Sequence, residues 1–130
     1  MGNAQYPTEI PFTEYSLVST SCQWTNFDSD TVIVINSDNE LENYIVCTDG
    51  SYPDVDFSQY TLLLTRGWST SGINHIDIAF KESTVNQYAL DITIHTNMTA
   101  EAPPWWVSIV VPKMDNDAII TLNVQQINNN

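Results

Sequence analysis

Apolar and polar residues alternate through most of the second half of the chain. Ile76, Ile78 and Phe80 are interleaved with Asp77 and Lys81, and Tyr88, Leu90, Ile92 and Ile94 recur at every second position. Trp105, Val107, Ile109 and Val111 share one parity, and Ile120, Leu122 and Val124 repeat the pattern near the end. A period of two is the signature of strands with one face against a core. Segment 60–65 differs: Leu62-Leu63-Leu64 is uninterrupted, which predicts a central strand buried on both faces, broken by the Gly/Ser/Thr-rich stretch 66–72. The first half is less regular. Segment 15–27 leans towards strand and stops at Asp28-Ser29-Asp30, and Thr31-Val32-Ile33-Val34-Ile35 is a short apolar strand.

At Ser37 the period changes. Ser37-Asp38-Asn39-Glu40 has the spacing of a capping box, with the Ser37 oxygen placed for the Glu40 amide and the Glu40 side chain reaching back. Acids in that first turn suit the positive end of a helix dipole. Leu41, Tyr44 and Ile45 fall on one helical face and Asp49-Gly50 supplies a stop, so the spacing predicts one short helix over 38–47. The expected fold is therefore α+β: mainly antiparallel β of roughly six or seven strands, as a sheet, barrel or sandwich, with that one helix. Residues 1–11, with Pro7 and Pro11, read as an extended arm, 12–127 as a single globular domain, and 128–130 as a disordered tail.

Charge narrows the partners. Three Lys+Arg against 16 Asp+Glu give a net charge of −13, and three cations cannot neutralise a phosphate backbone or hold an anionic membrane surface. Nucleic acid is excluded as a partner, as is direct membrane insertion, since no apolar stretch approaches the length of a span. Ser, Thr, Asn and Gln supply 44 of the 130 residues, so the surface owes its polarity to hydroxyls and amides, a composition common outside the cytoplasm. Met1-Gly2 reads as a cloning remnant with a targeting segment trimmed ahead of it; Tyr6 stands where an acylation signal wants Ser or Thr. Cys22 and Cys47 are even in number and lack CxxC spacing or a Cys/His cluster for zinc. Two buried thiols and a disulfide are both open; an oxidising compartment favours the disulfide.

Asp56-Phe57-Ser58-Gln59-Tyr60-Thr61-Leu62-Leu63-Leu64, followed by Gly67, Ser71-Gly72-Ile73 and alternating strands, resembles the PrcB-like C-terminal domain family. The helix start at 37–42 and Trp106-Val107-Ser108-Ile109-Val110-Val111-Pro112-Lys113 resemble that family's short helix and closing strand, so the likeness spans about residues 32–113. Here the glycine turn carries Trp68 in place of a fuller glycine-rich pattern. The resemblance implies an extracytoplasmic, lipoprotein-associated, non-enzymatic domain that stabilises a partner protease complex.

Residues with chemical potential are few. Asp28-x-Asp30, Asp54-x-Asp56 and Asp115-x-Asp117 look like openings of calcium loops, but none continues into the full ligand spacing, and turn chemistry explains each. Carboxylate pairs for glycoside cleavage are inevitable among sixteen acids, and His75 and His95 have no nucleophile context, so a hydrolase is the remotest reading and no catalytic residue, metal or cofactor is assigned. The tryptophans are more informative. Parity along the strand places Trp105 in the core and Trp106 outward, and Trp68 lies in a loop with no periodicity. Trp68, Ser69, Thr70 and Trp106 are the expected binding surface, for a protein partner or alternatively for a glycan stacked on an exposed indole.

Overall fold

A computed structural model describes residues 6–25 and 28–128. Phe27, Met1-Gly2 and Asn129-Asn130, to which expectations above attach, lie outside the described residues. Ten strands and one short helix are found among the described residues, in three sheets. The strands are β1 (Thr8–Glu9), β2 (Thr13–Glu14), β3 (Cys22–Trp24), β4 (Val32–Ile35), β5 (Ile45–Cys47), β6 (Tyr60–Trp68), β7 (Ile73–Thr84), β8 (Gln87–Thr96), β9 (Pro104–Pro112) and β10 (Ile119–Asn128), with α1 (Asp38–Leu41) between β4 and β5. The chain is mostly β, with more strands than the sequence pattern suggests, short in the first half and longer than expected from β6 onwards.

The chain forms two compact units, each built from discontinuous segments. The first takes the described residues of 1–11, 67–105 and 115–130 and carries the sheet β1-β7-β8-β10. Its spine is the antiparallel β7–β8 hairpin, which turns at Asn86 in the left-handed region (φ 60°). The hairpin alternation puts Ile76, Ile78 and Phe80 opposite Ile94, Ile92 and Leu90, so one face is apolar and Phe80, Leu90, Ile92 and Ile94 are buried. The opposite face carries His75, Asp77 and Lys81, with His95, Thr93 and Asp91 beside them. Lys81 and Asp91 form an ion pair at 3.1 Å there. β10 runs parallel to β8 along its whole length, from Ile119 beside Gln87 to Asn128 beside Thr96. The antiparallel expectation fails at this pair because β9, which belongs to another sheet, intervenes in sequence between the two. Asn128, expected in a disordered tail, is the last residue of β10.

The second unit, 12–66 and 106–114, carries most of the sheet β2-β9-β6-β4 and the small ladder β3-β5. Leu62, Leu63 and Leu64 are buried on both sides of β6, which has β9 and β4 as neighbours. Tyr15, Cys22, Ile35, Leu41, Ile45, Leu62 and Leu64 form its core cluster. The N-cap forms as expected, Ser37 Oγ accepting from the Glu40 amide, and Glu40 reaches back one residue further than a capping box, its Oε1 accepting from the Asn36 amide at 3.1 Å. The helix nevertheless spans only four residues instead of ten. Its continuation, Ile45-Val46-Cys47, pairs as β5 with Cys22-Gln23-Trp24, and Cys22 and Cys47 are joined by a disulfide. Two β-branched residues and a covalent bond to a neighbouring strand outweigh the helical spacing of Leu41, Tyr44 and Ile45. Segment 15–27 likewise yields only the three-residue β3, because the turn at Leu17–Thr20 and the positive φ of Ser19 bend the chain first. β6 also extends past the expected break at Arg66, as far as Trp68.

Candidate functional site

In the second unit, β3 and the outward residue of β9 enclose a groove of about 300 Å³, lined by Leu17, Cys22, Gln23, Trp24 and Trp106. Trp106 is 38% exposed, as the strand parity predicts, while Trp105 before it is 2% exposed. The Arg66 guanidinium lies 5.1 Å from the centre of the Trp106 ring, a cation–π distance. The Cys22–Cys47 disulfide fixes the β3 wall, and Val46, opposite Gln23 in the ladder, adds a 54% exposed apolar side chain beside it. Trp24 is held from behind by Tyr15, their ring centres 5.7 Å apart and tilted 47°. Burial, then the nearby Tyr52 phenol and the Asp54 and Asp38 carboxylates, push the Tyr15 phenol well above the ordinary tyrosine range. Tyr15 therefore stays neutral and donates to the Pro53 carbonyl at 2.6 Å. The groove's walls are mainly apolar and aromatic, with Gln23 as the amide side chain in its lining.

The other residues expected at a binding surface belong to the first unit. Trp68 is 58% exposed, and Thr70 is exposed beside it. Ser69 is not a surface group: it is 3% exposed, its amide donates to the Pro103 carbonyl and its hydroxyl to the Ser71 carbonyl. Gln126 accepts from the Thr70 amide and hydroxyl and donates to the Trp68 carbonyl at 3.1 Å, fixing the loop to β10. Gly67 is required for close approach. A Cβ there would lie 2.5 Å from Cζ2 of the buried Trp105 indole. Trp68 and Trp106, expected to share one surface, thus fall in different units.

A third group appears on the polar face of the β7–β8 hairpin. His75 and His95 are directly opposite each other in the ladder, their rings stacked at 4.0 Å and 14°. Asp77, two residues on and so on the same face, brings Oδ2 to 2.7 Å from His95 Nε2 and 3.8 Å from His75 Nε2. Comparison with family models, with curated proteins and with solved structures gives no match to this chain.

The sequence reading treats His75 and His95 only as histidines without a nucleophile context, and so leaves the two apart. The signal that joins them is the hairpin: His75 and His95 are equidistant from Val85 at its tip. The acidic pairs, by contrast, do take part in turns. Asp56 accepts from the Ser58 hydroxyl and amide and from the Gln59 side chain, bonds that hold its carboxyl below the usual range. Asp117 accepts from the Asn86 side chain, the Ala118 amide donates to the Asp115 carbonyl, and Asp30 has a positive φ of 64°.

Proposed function

We propose that this chain is a non-catalytic, extracytoplasmic protein-binding domain, of the kind the PrcB-like resemblance implies, and that the Trp106 groove receives an apolar or aromatic side chain of its partner. The observation that carries the reading is the exposed Trp106 standing over a concave apolar wall stiffened by the Cys22–Cys47 bond. Aromatic residues in preformed apolar pockets supply most of the energy at protein interfaces. The disulfide supports an oxidising compartment. A non-catalytic role is supported by the lining: Cys22 sulfur is already bonded, and the Gln23 amide does not exchange protons near neutral pH. A glycan site asks for several directed polar groups around its stacking ring, and the groove's lining carries one amide side chain, Gln23, among apolar and aromatic ones.

The test is affinity capture from the source's envelope fraction with the natural chain and with Trp106→Ala, read by mass spectrometry, alongside glycan titration followed by tryptophan fluorescence. The expected result is a protein retained by the natural chain and lost with Trp106→Ala. Retention that ignores Trp106, or a saturable glycan response that Trp106→Ala abolishes, overturns the protein-partner reading.

A further inference from the structure

We propose that His75, Asp77 and His95 form a binding site for one divalent transition-metal ion of the borderline class, zinc foremost. This is independent of the groove and of the function assigned to it. The observation is a register coincidence. The β7–β8 ladder sets His75 and His95 side by side, and the two-residue period brings Asp77 to the same face. Their three ligand atoms all lie within 4.8 Å of one another.

The donor separations lie around those a small ion requires. Zinc takes histidine nitrogen and carboxylate oxygen at about 2.0–2.2 Å, so tetrahedral donors stand about 3.3 Å apart. The separations from Asp77 Oδ2, 2.7 Å to His95 Nε2 and 3.8 Å to His75 Nε2, bracket that value. The two rings are stacked at 4.0 Å and 14°, so they turn out of that stack to aim their in-plane lone pairs at one ion, on a backbone held by the ladder pairs Ile76 with Ile94 and Ile78 with Ile92. Two imidazoles and one carboxylate select zinc, copper or nickel over calcium and magnesium, which want more oxygens. The neighbouring acid on this face, Asp91, is occupied by Lys81 and by the Asn123 side chain at 2.8 Å. His75 and Asp77 are more than half exposed, so an ion reaches the site from solvent and keeps positions open for water or an external ligand.

The experiment is calorimetric titration of the whole chain with zinc chloride in a non-coordinating buffer, with histidine proton resonances followed by NMR. The expected result is one ion per chain, with the resonances of both His75 and His95 moving together and complete at one equivalent. His75→Ala, His95→Ala and Asp77→Asn each weaken binding by at least the roughly 10-fold that loss of even an outer-shell partner costs, whereas Asp91→Asn leaves it unchanged. Affinity equal in the natural chain and all the variants assigns the binding to scattered surface carboxylates and overturns the proposal. So do histidine resonances of the natural chain that stay in place at zinc saturation, a readout that does not depend on any variant folding.

Discussion

The two units of this molecule are held together differently. In the first, the β7–β8 register runs without interruption from His75–His95 to Glu82–Tyr88, and β10 follows β8 over its full length. Its long ladders present alternate side chains to a core and need no covalent help. In the second, β2, β3, β4 and β5 are two to four residues each, and segment 48–59 contains no strand. Around the longer β6 and β9, contacts between residues far apart in sequence hold these short strands and that segment in place. Besides Cys22–Cys47, Tyr15 donates to Pro53 at 2.6 Å, Lys113 to the Phe57 carbonyl at 2.7 Å, and the Met114 amide to the buried Thr61 hydroxyl at 3.0 Å. A long ladder makes stability a matter of packing, whereas a short-stranded region makes it a matter of individual cross-links. Both candidate sites follow this division: the metal site depends on ladder register, and the groove on a stapled wall.

The largest expected effect breaks the first unit at its packing. Phe80 is 2% exposed, opposite Leu90 in the ladder and stacked 5.4 Å from Tyr88. Phe80→Ala is expected to cost about 3–5 kcal/mol in urea unfolding, from lost burial and the cavity left behind. A cost within surface range, about 0.5 kcal/mol, would show that the ladder does not depend on this face. Next comes the staple. Replacing Cys22 and Cys47 together by Ser releases a closure across a sequence separation of 25 residues, expected to cost about 3 kcal/mol. Hydrogen exchange separates the two regions: amides of β3 and β5 should lose protection first, while those of β7 and β8 keep theirs. Equal loss in both would erase the contrast.

The same contrast explains what was legible in the sequence. The hairpin strands and the inward Trp105 and outward Trp106 follow from a period of two, because a long ladder repeats its environment at every second residue. Ser37 and Glu40 correctly mark where the helix begins, since capping is local chemistry. Where it ends was hidden: Ile45-Val46-Cys47 answers to Cys22-Gln23-Trp24, whose positions no local pattern encodes. Strands of two or three residues have no period to read. The parallel β8–β10 pair was equally hidden, because strand neighbours are a property of the whole topology. Nor does any linker mark the two units, since each is assembled from interleaved segments. At the candidate sites, parity found Trp106 but not Trp24 and Leu17 across the groove. His75, Asp77 and His95 came together only through the extended hairpin and its register.

The smallest effect tests a single cross-link of the second unit and carries a pH signature. Tyr15→Phe keeps the ring against Trp24 but removes the hydrogen bond to Pro53, with an expected cost of about 1 kcal/mol near neutral pH. In the folded chain, burial and the neighbouring Tyr52, Asp54 and Asp38 hold the phenol proton beyond the ordinary tyrosine range. Above a pH of about 10 the unfolded chain releases that proton while the folded chain retains it. The folded state then binds more protons, so its stability falls as pH rises. Tyr15's contribution is thus fully present below the ordinary tyrosine value and lost as pH climbs towards the raised one. The gap between the natural chain and Tyr15→Phe, measured by urea unfolding near neutrality and again near about pH 11, should therefore narrow. Tyr88, in the first unit, is shifted in the same direction by burial and by Glu82, so Tyr88→Phe is the matched control. A Tyr15 gap that stays constant with pH would mean that the phenol titrates alike in folded and unfolded chains, and that the Pro53 contact is not among the cross-links that hold the short-stranded unit together.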